Sequence, residues 1–258
     1  MAFISRVRSA FTVSLASSIA FSTVGTTIVT IVIVPLLNIA FNVVLGSDLG
    51  APDLHRTTYA ATLVGMTLGV CSGIVSKVAT DRNLGIFQEV HRFRNLDLAY
   101  WAGTAILPIV LAMPTGIVAL GTVQILNNSN EAFLGKHIVL LVIVSLLAGA
   151  LLGVAMAGFG VVFSDPYQGA SVASAIIPLL SGVIVPTSDF PSWLKTVSSL
   201  VPMSGTVTSI HNGAVEHQPE LTPAVADIVV SAIWAIIGLF MVLVALQRMR
   251  TGIRFNAL

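Results

Sequence analysis

Long stretches of the chain contain no Asp, Glu, Lys or Arg, and apolar residues dominate each of them. There are six such stretches, at residues 9–47, 57–76, 98–130, 137–164, 166–188 and 228–247. Each is as long as, or longer than, the roughly 20 residues that a helix needs to cross a bilayer core of about 30 Å. The pattern therefore predicts an all-α polytopic membrane protein.

Six transmembrane helices are expected inside these stretches, at about residues 19–45, 57–76, 99–126, 137–163, 167–185 and 224–246. Pro35, Pro108 and Pro114 are expected to kink the first and third helices. Small residues in the fourth helix should let its neighbours approach closely; they are Gly149, Gly153, Gly158 and Gly160. Because six spans use nearly half of the 258 residues, residues 1–258 are expected to form one membrane domain.

Composition and charge agree with this interpretation. Only 9% of residues are charged, against about 25% in a soluble domain. If the N-terminus is cytoplasmic, nine of the twelve basic residues lie inside and only Arg56, Lys136 and Lys195 lie outside. This asymmetry predicts that both termini are cytoplasmic. Nucleic-acid binding is not expected, because no basic run with interleaved aromatic residues occurs outside the spans.

Three segments outside the spans carry recognisable patterns. In residues 1–15, apolar residues fall on one side of a helix and basic and small polar residues on the other, which predicts a helix lying in the membrane interface. Residues 77–97 are amphipathic and rich in both charge signs. Exposing Phe87 to the cytosol would be unfavourable unless it packs on a partner or on the interface. Residues 196–215 are uncharged but too polar for a complete crossing, which favours a helical hairpin or re-entrant element at the outer face.

Candidate chemistry is sparse. No G-x-x-x-x-G-K-[ST] loop is present, and no predicted span places an ionisable residue at mid-depth. Ser181 could act as a nucleophile with His211 as its base, but Ser181 does not lie in the G-x-S-G turn that would expose a nucleophile. A metal site at His211, Glu216 and His217 does not have H-E-x-x-H spacing. No catalytic, cofactor-binding or metal-binding residue is therefore assigned. If the protein moves a substrate uphill, the energy would have to come from another chain.

Two segments together resemble the membrane subunits of ABC-2 type exporters. Residues 180–205 read LSGVIVPTSDFPSWLKTVSSLVPMSG, with the family's Ser-Gly, prolines and Pro–aromatic pair in order. The matching positions are Ser181, Gly182, Pro186, Pro191, Trp193 and Pro202. Residues 81–89 read DRNLGIFQE and look like the family's charged stretch after the second span, although Arg94 and Asn95 stand where a proline is usual.

The resemblance implies an N-terminal interfacial helix, a coupling helix between spans two and three, and re-entrant outer helices between spans five and six. The coupling helix would comprise Asp81, Arg82, Leu84, Gly85, Ile86, Phe87, Glu89 and Val90. It also implies two membrane subunits, identical or related, on two ABC ATPase subunits that hold ATP and Mg. This chain would bind no cofactor itself and would contact membrane lipids.

By analogy with the family, spans two and five line the transport path, and they carry almost no aromatic residues on which sugar chains could stack. The substrate is therefore expected to be hydrophobic or amphipathic, such as a drug or lipid. A polysaccharide or glycolipid exporter is the alternative. A channel that works without an ATPase and an intramembrane enzyme are more distant ones. The Ala-, Val- and Gly-rich composition, with more arginines than lysines, points to a bacterial plasma membrane.

Overall fold

The computed structural model describes residues 2–16, 23–34, 36–37, 40–41, 44, 48, 54–92, 96–127, 132–183, 185–212 and 222–250. This part of the chain folds into helices and contains no strand, which confirms the all-α prediction. The helices are α1 (Ala2–Ala16), α2 (Val24–Ile28), α3 (Leu54–Asn83), α4 (Ile86–Arg92), α5 (Leu98–Asn127), α6 (Ala132–Val162), α7 (Gln168–Leu180), α8 (Ser192–Ser198), α9 (Ser204–Asn212) and α10 (Thr222–Arg250).

Four of these helices, α3, α5, α6 and α10, are long and apolar enough to cross a membrane. They contain the predicted second, third, fourth and sixth spans. The second extends further than expected, because α3 continues to Asn83. The third runs through Pro108 and Pro114 as one helix.

The predicted first and fifth spans differ from this pattern. In the first, α2 continues as a π-helical turn from Val29 to Ile33, and Pro35 lies outside the described residues. In the fifth, α7 has only 13 residues, or about 20 Å at 1.5 Å per residue. Expecting a full-length helix over 167–185 was therefore wrong: Gly182, at φ +84°, ends the helical run in a conformation that glycine adopts readily.

The bundle is built around α6, which packs on α3 along one side and on α10 along another. Both crossings are made of small residues, as the sequence predicted. A Cβ on Gly149 would lie 2.7 Å from the Thr67 carbonyl oxygen of α3, and one on Gly158 would overlap the Gly238 carbonyl of α10. Because lipid provides no hydrophobic force between helices, this close backbone packing is a principal source of cohesion.

Residues 2–16 form a helix, α1, where the sequence predicted one, and α1 packs across the first turns of α5. Gly103 of α5 accommodates Ala10 of α1, since a Cβ there would overlap it. Arg6 donates to Asp97, just before α5, at 2.9 Å. Phe3 and Ile4 of α1 remain 49% and 74% exposed, as expected of side chains that face lipid.

Candidate functional site

The connection between α3 and α4 is a tight turn formed by Leu84 and Gly85. Gly85 has φ +76°, and its amide donates to the Arg82 carbonyl at 3.1 Å, so α3 ends here and the chain changes direction. Asp81 and Arg82 therefore belong to the last turn of α3, and placing them on the coupling helix was wrong. We refer to residues 84–92, which comprise the turn and α4, as the foot.

Asp81 is 2% exposed and is fixed by two neighbours. Lys77 Nζ donates to Asp81 Oδ1 at 2.7 Å, and the Tyr100 hydroxyl of α5 donates to Asp81 Oδ2 at 2.9 Å. Arg82 donates to the carbonyl oxygens of Gly160 and Phe163, at the end of α6. Asp81 and Arg82, which the sequence analysis assigned to a contact surface, thus hold the ends of α3, α5 and α6 together.

Phe87 faces inwards from α4. It is 1% exposed, so the expectation that it packs on a partner or on the membrane interface is wrong. Its ring lies 4.3 Å from that of His91 and meets those of Tyr100 and Trp101 edge-on at 6.0 and 6.4 Å. The physical reason is that the first turn of α5 returns to α4 and provides an aromatic pocket for the ring.

His91 completes this aromatic cluster, and its Nδ1 lies 2.9 Å from the Phe87 carbonyl oxygen. Burial lowers the pKa of His91, because the charged imidazolium loses its solvation there; the Phe87 carbonyl and Asp97 act in the opposite direction. The neutral ring is therefore favoured near pH 7. The cluster makes α4 a rigid extension of the bundle.

The opposite side of the foot is exposed and apolar. Leu84 is 68% exposed and Ile86 is 38% exposed, and Gln88 and Glu89 are exposed beside them. Val90 is partly buried. The apolar surface expected of a coupling element is thus present, but Leu84 and Ile86 form it in place of Phe87.

The other end of the bundle carries residues 181–183 and 185–212, which we call the far-end element. Ser181 is fully buried at the end of α7, and Gly182 lies against Thr187, whose Cγ2 would be 2.6 Å from a Cβ on the glycine. Pro186 precedes a single 3₁₀ turn, Thr187–Asp189. Because Ser181 is inaccessible here, the structure does not support its role as a nucleophile.

Within this element, α8 and α9 form the short helical pair that the sequence predicted. Pro191 begins α8, Trp193 is 67% exposed on it, and Pro202 is buried in the turn to α9. Met203 follows at φ +77°, a strained conformation for a residue with a side chain. Its sulfur lies 3.2 Å from Thr67 Oγ1 of α3, which is also within hydrogen-bonding distance of the Leu63 and Ser145 carbonyl oxygens, so the far-end element contacts α3 here.

Asp227 of α10 anchors α9, a contact that the sequence analysis did not anticipate. Its carboxylate accepts from the Gly205 amide at 3.0 Å, and from the Thr206 amide and hydroxyl at 2.6 and 2.7 Å. The side chain is 2% exposed. A residue of one helix thus satisfies the first amides of another, the role that an N-cap residue normally has in its own helix.

We expect Asp227→Ala to destabilise the far-end element by about 2–4 kcal/mol, because three donors lose a charged acceptor in a buried site. Proteolysis within 186–212 should become faster while the rest of the bundle keeps its protection. Asp189→Ala is the matched control, because Asp189 is an exposed carboxylate on the same element. Equal protection of both variants would contradict the anchoring role.

Between the two ends, α3 packs on α7, and both helices have exposed positions, which we refer to together as the open face. On α3 this face carries Gly69, Ser72 and Ser76. On α7 it carries hydroxyl and aliphatic side chains, namely Ser171, Val172, Ser174, Ile176 and Leu179. The face is long, contains no aromatic residue among these positions, and mixes hydroxyl with aliphatic groups.

The family comparison decides the identity. The model of the ABC-2 type transporter family matches residues 16–213, about three quarters of the chain, including the foot and the far-end element. The chain belongs to the ABC-2 type transporter family. No curated protein and no solved structure gives a match.

Membership in the ABC-2 type family makes this chain the membrane component of a transporter, not itself the catalytic subunit. It implies association with an ABC ATPase and with another membrane subunit. The sequence resemblance to this family is thereby confirmed. The match ends at residue 213, so α10 lies beyond it, although α10 packs along α6 and anchors α9.

Proposed function

We propose that this ABC-2 type permease is an exporter subunit in a bacterial plasma membrane, and that it moves a hydrophobic or amphipathic substrate. Two such membrane subunits would stand on two ABC ATPase subunits, which bind ATP and Mg. Both termini and the foot would lie in the cytoplasm, as the distribution of basic residues suggests. With the segments that contain α2 and α7 completing the crossings, the domain would have six spans, and α8 and α9 would be re-entrant at the outer face.

The observation that carries this proposal is the two-sided foot. Its inner side is fixed by Phe87 and His91, while its outer side presents Leu84 and Ile86. An exposed apolar pair on a rigid element suits a surface that another protein covers. A force applied to it would be passed to the bundle rather than absorbed by bending of the foot.

Helix α3 connects the two ends of the bundle and could transmit this movement. At the foot end it holds Asp81, which Lys77 and Tyr100 fix. At the far end Arg56 donates to the His211 carbonyl of α9 at 2.9 Å. A rigid displacement of α3 would therefore change both ends together, which is the behaviour that alternating access between two sides requires.

The open face of α3 and α7 supports the substrate class. If a second membrane subunit faced it, hydroxyl and aliphatic side chains would line the space between the two. Such a wall accepts an amphipath and lacks the aromatic platforms on which long sugar chains stack. A glycolipid remains the second candidate, because its lipid part suits the same wall.

Substituting Leu84 tests the coupling surface. With the cognate ATPase in nanodiscs, Leu84→Asp should reduce the membrane subunit's stimulation of ATP hydrolysis at least tenfold, because a charge replaces an apolar contact at a protein interface. Leu200→Asp is the matched control, since Leu200 is 62% exposed at the far end. Normal stimulation by the Leu84 variant would mean that the foot is not the docking site.

A further inference from the structure

A cleft of about 370 Å³ opens in the far-end element, between the 187–189 turn, α8, α9 and the start of α10. This volume lies in the lower part of the range of about 300–1,000 Å³ that is usual for small-molecule sites. Among the described residues, the polar part of its wall consists of six Ser and Thr side chains together with Lys195 and His211. Pro186, Val207 and Pro223 contribute apolar wall.

Five of the six hydroxyl groups of this wall already donate their protons within the chain, that of Ser188 to Asp189 Oδ1 at 3.1 Å. Three of them donate to backbone carbonyl oxygens: Ser198 to Leu180 at 2.7 Å, Ser199 to Thr196 at 2.8 Å and Thr208 to Ser204 at 2.7 Å. Thr187 Oγ1 lies 3.2 Å from Thr208 Oγ1, and since the proton of Thr208 is used, Thr187 is the donor of this pair.

A hydroxyl group has one proton to donate and two lone pairs that accept. With their protons engaged in the chain, these side chains offer mainly lone pairs to an occupant of the cleft. Lys195 has the opposite property, since its ammonium group only donates. The cleft thus combines a wall of acceptors with one cationic donor.

This combination selects the chemistry of the occupant. A phosphodiester group has no proton to give to the acceptors, and a cation would be repelled by Lys195. A group with several hydroxyls both donates to the wall and accepts from Lys195, while the apolar wall suits its CH groups. No carboxylate lines the described part of the cleft to favour a cation.

We propose that this cleft binds a small hydroxyl-rich group, such as a hexose or glycerol moiety, as the headgroup of the transported amphipath. The inference rests on the proposed function for its link to transport and narrows the substrate class. The same chemistry could reach the cleft as a free sugar or as the headgroup of a lipid, and the experiment below separates these sources.

Binding is measured on the full chain in nanodiscs without an ATPase. The probes are maltose in solution, a monoglucosyl diacylglycerol in the nanodisc, detected by native mass spectrometry, and the phosphodiester dimethyl phosphate. Thr208→Val and Lys195→Met should each weaken binding of the sugar-bearing probe about tenfold, the effect of losing one hydrogen bond. Thr196→Val is the matched control: its hydroxyl also donates to a carbonyl one turn earlier on a helix, but it is not part of the cleft wall.

Binding of both sugar-bearing probes would show that the headgroup suffices, and binding of the glycolipid alone would show that the lipid must present it; both support the proposal. Tighter binding of the phosphodiester, no binding of either sugar-bearing probe, or an unchanged affinity in Lys195→Met would overturn it. Lys195 is exposed, so its variant should fold even if Thr208→Val does not. Since no ATPase is present, loss of ATPase stimulation by Leu84→Asp and loss of sugar binding are independent results.

Discussion

Gly158→Ala is expected to reduce the yield of monodisperse protein sharply, although it adds a single methyl group. The new Cβ would overlap the Gly238 carbonyl, and Gly238 itself lies so close to α6 that a Cβ on it would be 2.5 Å from Ala155 Cα. Backbone lies on both sides, so neither helix can yield by turning a side chain. The cost should be about 3 kcal/mol or more, at the upper end of what overpacking a well-packed interface costs.

Gly121→Ala is the matched control for this effect. Gly121 lies in α5, and a Cβ at this position would meet nothing within 4 Å. The same substitution there should be neutral or stabilise by about 0.5–1 kcal/mol, because alanine is the better helix former. The comparison is made by size exclusion in detergent after heating. Equal thermal stability of the two variants would show that the α6–α10 crossing is not close-packed.

Phe87→Ala is expected to be the most damaging substitution in the foot. The ring is 1% exposed and fills the pocket between His91, Tyr100 and Trp101, so its removal should cost about 3–5 kcal/mol. The foot should then detach from α5. Hydrogen exchange in residues 84–92 measures this loss directly.

Leu84→Ala separates this structural effect from loss of a contact with a partner. Because Leu84 is 68% exposed, its truncation should change stability by less than about 0.5 kcal/mol. Hydrogen exchange in the foot of the Leu84→Ala variant should match that of the wild type. If Phe87→Ala also left the exchange rates unchanged, the aromatic cluster would not be what holds α4.

Properties that depend on local pattern could be predicted from the sequence. Four long apolar stretches are candidate spans as expected, and Gly149 and Gly158 lie at close helix crossings as their small size indicated. α1 was visible from the helical spacing of Phe3 and Arg6. In each case the signal lies within one helix, where residue spacing maps directly onto a face.

Properties that depend on contacts between distant segments could not be read in this way. Phe87 looked exposed because nothing in residues 77–97 indicates that Tyr100 and Trp101 turn back to cover it. The role of Asp227 could not be predicted, because its partners, Gly205 and Thr206, belong to another helix. The end of α7 could have been predicted from one residue, Gly182, because a glycine just after an apolar helix often terminates it.

The central claim is that the foot of this ABC-2 type permease touches the ATPase. Cys71 is 1% exposed and the sequence has no other cysteine, so a single new thiol can be placed in a Cys71→Ala background. Leu84→Cys and Leu200→Cys are each labelled with a benzophenone maleimide and irradiated in the presence of the cognate ATPase. We expect the ATPase to crosslink to position 84 and not to position 200. Crosslinking from position 200 alone, or from neither in a complex that hydrolyses ATP normally, would contradict the account.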